Sequence, residues 1–140
     1  MPAQQPSLQR RDYVALGSFR YALRKFLRFS NDLLAAKASM TPEQYEALLA
    51  LKSFASEAGM LVGQLSERLQ FRHHTTVALT NKLVARNLVT KKRSATDRRQ
   101  VYVQLTAAGD ALLEAMASVH RKAIRVHSTE LIAILRQLQK

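Results

Sequence analysis

The stretch KKRSATDRRQVYVQL, residues 91–105, decides how this chain is read. Two short β-patterned runs, LVTKKR (88–93) and QVYVQL (100–105), flank a polar turn that carries Asp97, Arg98 and Arg99. Apolar residues alternating with polar ones on either side of a polar turn are the pattern of a hairpin. This hairpin has a charged tip, and Arg side chains are long enough to reach into a nucleic-acid groove. Asp97 and Arg99 are two residues apart and share one face if the tip is extended. Asp97 then orients Arg99 toward a minor groove, where narrow A·T-rich segments attract Arg. Arg98 points the other way, toward phosphate or solvent. The alternative is a plain ion pair at a hairpin tip, which is worth little.

Upstream, residues 63–69 give a two-turn helix with Leu65 and Leu69 inward, and 70–72 make a turn. Residues 73–86 give a second helix with Leu79 and Leu83 inward. Asn87 suits a left-handed C-cap, since Asn tolerates that conformation better than most residues. A helix-turn-helix followed at once by a basic hairpin is the layout of a winged-helix DNA-binding domain. The second helix then lies in the major groove with its N-terminal end inward. His73, His74 and Thr75 occupy that end and can donate to phosphates or base edges, helped by the helix dipole. As a metal pair the two His are poorly placed, because adjacent residues diverge by about 100° on a helix. Val77 is suited to a thymine methyl or, equally, to the core. Asn81 is suited to adenine. Lys82 is suited to phosphate or plain surface, and Lys91, Lys92, Arg93 and Arg98 add further phosphate candidates.

Working further outward, residues 12–36 place Leu16, Phe19, Leu23, Phe26, Leu27, Leu33 and Leu34 at helical spacing. Thr41-Pro42-Glu43-Gln44 is a helix start, with Thr41 as N-cap, Pro42 at the first helical position and Gln44 closing a capping box. That helix runs to about Phe54. Met60-Leu61-Val62 is a short apolar run suited to a third small strand. Thr106 reads as the N-cap of a helix to about Val126, followed by a last helix over 129–139. His120 and His127, with no carboxylate in register, read as exposed or interface residues rather than metal ligands. The expected organisation is a flexible segment 1–11, dimerisation helices over 12–36 and 110–140, and a winged helix-turn-helix lobe over 41–109. The fold class is mainly α with a small β-hairpin wing.

Composition supports a polyanionic partner. The net charge is +12, and residues 61–105 hold nine of the 22 Lys and Arg against two of the ten acids. There is no cysteine, which excludes disulfides and thiolate metal sites. No run of apolar residues is long enough for a membrane span, and the N-terminus lacks the apolar core of a signal peptide. A cytoplasmic protein is the simplest expectation. No catalytic constellation or phosphate-cradling loop stands out, so neither an enzyme nor a cofactor is expected. The amphipathic helices outside the helix-turn-helix need a partner surface, and a two-fold homodimer is the economical one.

With these residues in place, the chain resembles the MarR family of bacterial transcriptional regulators. The resemblance rests on residues 63–113: the helix-turn-helix, the Asp97-Arg98-Arg99 wing, and the exit Leu105-Thr106-Ala107-Ala108-Gly109 into a helix. The upstream Thr41-Pro42-Glu43-Gln44-Tyr45 looks like the family's second helix. The resemblance implies a homodimeric repressor on a pseudo-palindromic operator in double-stranded DNA, released by a small aromatic effector. Phe19, Phe26 and Tyr45 are then candidates to line the effector site, although core packing explains them equally well. Two departures stand out: Asn87 replaces a common Gly, and Arg72 replaces a Ser that caps the recognition helix in many members. Without cysteine, the oxidant sensing of some members does not carry over. A sequence-nonspecific architectural DNA binder and a winged-helix protein-interaction module remain the alternatives.

Overall fold

The computed structural model describes residues 2–3 and 7–140. In chain order the elements are α1 (Arg10–Ala38), α2 (Pro42–Phe54), β1 (Met60–Leu61), α3 (Val62–Leu69), α4 (His73–Ala85), β2 (Val89–Arg93), β3 (Val101–Leu105) and α5 (Ala107–Leu138). They fall into two compact units: residues up to Asp32 together with Val119–Lys140, and Leu33–Ser118. Residues 1 and 4–6 of the expected flexible segment lie outside the described residues. Helix starts at Arg10 because the Gln9 N–H donates to Asp12 Oδ2 at 2.8 Å, so a carboxylate sits at the positive end of the helix dipole.

In the second unit, local chemistry sets each boundary. Thr41 Oγ1 accepts from the Gln44 N–H at 3.2 Å, and Gln44 Oε1 accepts from the Thr41 N–H at 3.1 Å, which is the expected capping box. Gln64 Oε1 likewise accepts from the Leu61 N–H at 3.0 Å at the start of α3. The turn between α3 and α4 is made by Gln70 in the left-handed region (φ 58°) and closed by Ser66 Oγ donating to the Phe71 carbonyl at 2.6 Å. Asn87 is left-handed as expected, also at φ 58°.

The sheet is antiparallel with order β1-β3-β2, so the two-residue run at Met60 is a third strand. Val103 pairs with Met60 on one side and Lys91 on the other. Val103, Leu34, Leu48, Leu65 and Leu83 are all fully buried in one apolar core with Met60, Leu79, Leu88 and Val89. The exit motif has a physical reason. Thr106 donates its N–H to the Leu88 carbonyl at 3.1 Å and its hydroxyl to the Asn87 carbonyl at 2.7 Å, while its Oγ1 accepts from the Gly109 N–H at 2.9 Å. A Cβ at Gly109 would collide with the Leu88 carbonyl oxygen, so only glycine lets α5 start this close.

In the first unit, α5 corrects the sequence reading. It is one helix through Val126 and Thr129, not two. No Gly or Pro follows Gly109 in it, and the Ser128 hydroxyl bonds to the Arg125 carbonyl at 2.9 Å, so the serine is accommodated inside the helix. His120 is a second correction. It is 4% exposed rather than a surface residue. Its Nε2 lies 2.7 Å from Ser30 Oγ, and the Phe26 and Phe29 rings meet it edge-on at 6.1 and 6.3 Å. His127 is exposed, as expected.

Gly109→Ala is expected to lower the stability of the protein by about 1–3 kcal/mol, the usual range for overpacking a tight site. A chemical-denaturation midpoint checks it; an unchanged midpoint would mean that the α5 start can shift without cost.

Candidate nucleic-acid interface

On α4 the buried residues are Thr76, Leu79, Thr80 and Leu83. At about 100° per residue, the opposite face carries His74, Thr75, Ala78, Asn81, Lys82 and Ala85, and all six are exposed. Val77 is corrected by this geometry. It is half-buried and packs against the apolar core, so it does not belong to the outer face. The small exposed residue there is Ala78, midway between His74 and Asn81. The helical period anchored on Leu79 and Leu83 would have found it.

The start of α4 carries no side-chain cap. Arg72 is the N-cap residue in extended geometry (φ −66°, ψ 151°), and Thr76 both donates its N–H to the Arg72 carbonyl at 3.1 Å and places its hydroxyl 3.2 Å from it. The backbone N–H groups of His73, His74 and Thr75 are therefore not covered by a capping oxygen. Their side chains are exposed around them. Partial positive charge from the dipole, with two imidazoles beside it, suits an anionic group.

The hairpin rises from the core at Val89, which is buried, and every residue from Thr90 to Arg93 is exposed. Side chains alternate, so Lys91 and Arg93 share Val89's face and Lys92 takes the other. Lys91 reaches α4 and donates to Asn81 Oδ1 at 2.5 Å. This contact joins the hairpin to the outer face of α4, and nothing in the spacing announces it.

The tip is the polar turn read from the sequence, so the condition that it be extended, under which Asp97 and Arg99 share a strand face, is not met. The Gln100 N–H donates to the Asp97 carbonyl at 3.0 Å and the Ser94 N–H to the Gln100 carbonyl at 2.9 Å. Ser94, which the sequence reading passed over, is buried, and its Oγ accepts from the Thr96 and Asp97 N–H groups at 3.3 Å each. Its place two and three residues before those donors is a serine-turn signature that could have been read. Asp97 contacts Arg99 by a different route. Its Oδ1 accepts the Arg99 N–H at 3.0 Å and lies 3.5 Å from Nε, while the Arg99 side chain stays 94% exposed. Arg98 is also exposed. Between Arg68 and Arg99, Asp97 is the one acid, so the surface of α4 and the hairpin is otherwise neutral or basic.

Arg86, at the C-cap of α4, was not singled out by sequence. Its guanidinium donates to the Ala38 carbonyl at 2.7 Å and the Ser39 carbonyl at 3.0 Å, with Gln44 Oε1 at 3.5 Å. It holds the end of α4 against the left-handed corner at Ser39 (φ 49°).

The effector candidates separate. Phe19 and Phe26 are half-buried in the first unit, and Tyr45 is packed against the core of the second. Burial pushes the Tyr45 phenol above its ordinary range. None of the three lines either of two open clefts. One, of about 560 Å³, lies between Arg10–Ser18 of α1 and the end of α5; the other, of about 460 Å³, lies around Lys52 and Asp110. Among the described residues there is no cluster of three or more His, Cys, Asp or Glu suited to a metal, and no helix long and apolar enough to cross a membrane.

Residues 38–100, which span α2 to the wing, match the model of the MarR family. Over these residues, somewhat under half of its length, the chain is similar to the MarR family. No curated protein matches it. Solved structures share the fold at low identity. AbsC, a MarR family transcriptional regulator from Streptomyces coelicolor, is 21% identical over 91% of this chain and 84% of that one, with a TM-score of 0.75. A MarR family protein from Bacillus stearothermophilus is 22% identical over 95% and 94%, with a TM-score of 0.72. The MepR–DNA complex from Staphylococcus aureus holds a protein 23% identical over 81% and 80%, with a TM-score of 0.71.

Arg99→Ala is expected to leave the fold intact and to weaken binding to a preferred duplex by about 1–3 kcal/mol. Unchanged affinity in a titration of the folded variant would remove the wing from the interface.

Proposed function

We propose that this chain is a homodimeric, sequence-specific DNA-binding regulator of the MarR family. It acts as a repressor on a pseudo-palindromic operator and is released by a small aromatic ligand. The observation that carries the DNA reading is the joined surface of α4 and the hairpin. One exposed helical face with the small Ala78 at its centre stands beside Lys92, Arg93, Arg98 and Arg99, with Asp97 spent on orienting Arg99. His74, Asn81 and Ala78 address the major groove, Arg99 the minor groove, and Lys82, Lys92, Arg93 and Arg98 the phosphates. His73 and Thr75 flank the helix start, where the uncovered N–H groups take a phosphate. The solved complex of MepR with DNA, on the same fold, supports this reading.

The first unit supports the homodimer. Among its described residues Tyr13, Val14, Leu16, Leu23 and Leu27 of α1 and Ile124, Val126, Ile132 and Leu135 of α5 are each more than 40% exposed. Large apolar side chains in this number, on helices with few buried residues of their own, are what an obligate two-fold interface covers. Half-sites one helical turn apart then match the two copies of α4. Release requires a ligand that binds one dimer geometry better than the other. Phe19 and Phe26, both in the first unit, are the proposed aromatic contacts for it.

Light scattering at micromolar concentration is expected to give the dimer mass. A monomer that still binds a selected operator would contradict the dimer. Each subunit engages about three or four phosphates, so the log–log salt dependence of binding is expected near −5 to −7. A slope near −2 would leave the basic hairpin outside the interface.

A further inference from the structure

We propose that Asn81 and Lys91 together form a donor-rich reader of one base, selecting guanine over adenine. The inference rests on the reading of α4 as the element that enters the major groove. A free asparagine amide recognises adenine with both ends, accepting from N6 and donating to N7. In this protein a cation stands at the accepting end: Lys91 Nζ donates to Asn81 Oδ1 at 2.5 Å, so an adenine N6–H₂ approaching the oxygen's second lone pair would meet an ammonium beside it. An ammonium has donors and no acceptor, so only the oxygen of the amide can face it. The amide orientation is thereby settled, and Nδ2 is the end left to meet a partner.

Both residues are exposed, and Asn81 shares the outer face of α4 with His74 and Ala78, so the pair is presented and not packed away. What it presents is the N–H₂ group of the amide and the remaining protons of the ammonium, with a single lone pair of Oδ1 left beside the cation. On the major-groove edge, guanine offers two acceptors, O6 and N7. Adenine offers one acceptor and one donor, and its N6 protons would have to approach beside the Lys91 ammonium. Cytosine offers a donor alone, and thymine a single acceptor beside a methyl group. Guanine is the base whose edge matches the pair at both positions. Exclusion of water on docking strengthens the bond between Lys91 and Asn81, which holds the orientation where it matters.

The test is selection from a randomised duplex library at one fixed salt concentration, run with the natural protein, Lys91→Met and Asn81→Asp. Circular dichroism melting of each variant checks that it is folded. The natural protein is expected to enrich guanine at one position of each half-site. Lys91→Met frees Oδ1 and is expected to move that position to adenine, with the guanine-to-adenine preference changing on the order of tenfold. Asn81→Asp keeps one oxygen on Lys91 and turns the other outward as an acceptor, so cytosine is expected there. If Lys91→Met keeps the same preferred base and merely weakens all sequences alike, the pair is a brace between hairpin and helix and the proposal is overturned, while the reading of α4 stands. Enrichment of adenine by the natural protein overturns it equally. If the natural protein enriches no sequence over random duplex, the reading of α4 falls, and the proposal with it.

Discussion

The carbonyl oxygen of Leu88 is the point on which the second unit turns. It accepts the Thr106 N–H at 3.1 Å and lies where a Cβ of residue 109 would have to be. Leu88 itself follows the left-handed Asn87 that ends α4 and precedes the first residue of β2. One peptide unit therefore fixes where α4 stops, where the hairpin starts and where α5 begins. The angle at which the hairpin leaves the helix is set there, before any of its basic residues is reached. A hydrogen bond between neutral groups is worth only about 1 kcal/mol net. Its effect here is geometric, because it coincides with the apolar closure of Leu83, Leu88, Val89 and Val103.

This joint also explains why so much of the architecture could be read without coordinates. The signals at Thr41-Pro42-Glu43-Gln44, Asn87 and Thr106-Ala107-Ala108-Gly109 are local: a cap, a left-handed residue and a close approach each act within four residues of chain. They mark boundaries whatever lies elsewhere. The hairpin was legible for the same reason, since alternation and a polar turn are properties of one continuous stretch.

The errors lie where a residue's partner is distant in sequence. His120 looked exposed because its own helix gives it no carboxylate, yet Ser30, Phe26 and Phe29, all some 90 residues away, enclose it. Arg86 looked like one more surface cation, but the carbonyls it holds belong to Ala38 and Ser39. Val77 was an even choice on pattern alone, and packing decided it. The break expected near residue 127 failed differently. Serine is a weak helix former by propensity, but with its hydroxyl bonded to a carbonyl inside the helix it does not end one. Asn81 was placed on the right face, and its link to Lys91 depends on the hairpin lying beside α4, which no helical period describes.

The positions of the cations carry one more consequence. Arg86 is anchored on carbonyls, and the Arg68 guanidinium stacks on the Phe54 ring at 3.5 Å from its centroid. Both side chains are engaged within this unit, and hydrogen bonds to neutral groups and ring stacking leave their charge intact. They add to the long-range field that draws a polyanion toward this unit, and they displace no counterion once it has docked. Charge that steers the encounter and charge that touches phosphate are therefore carried partly by different residues, and the salt dependence of the association rate draws on both sets.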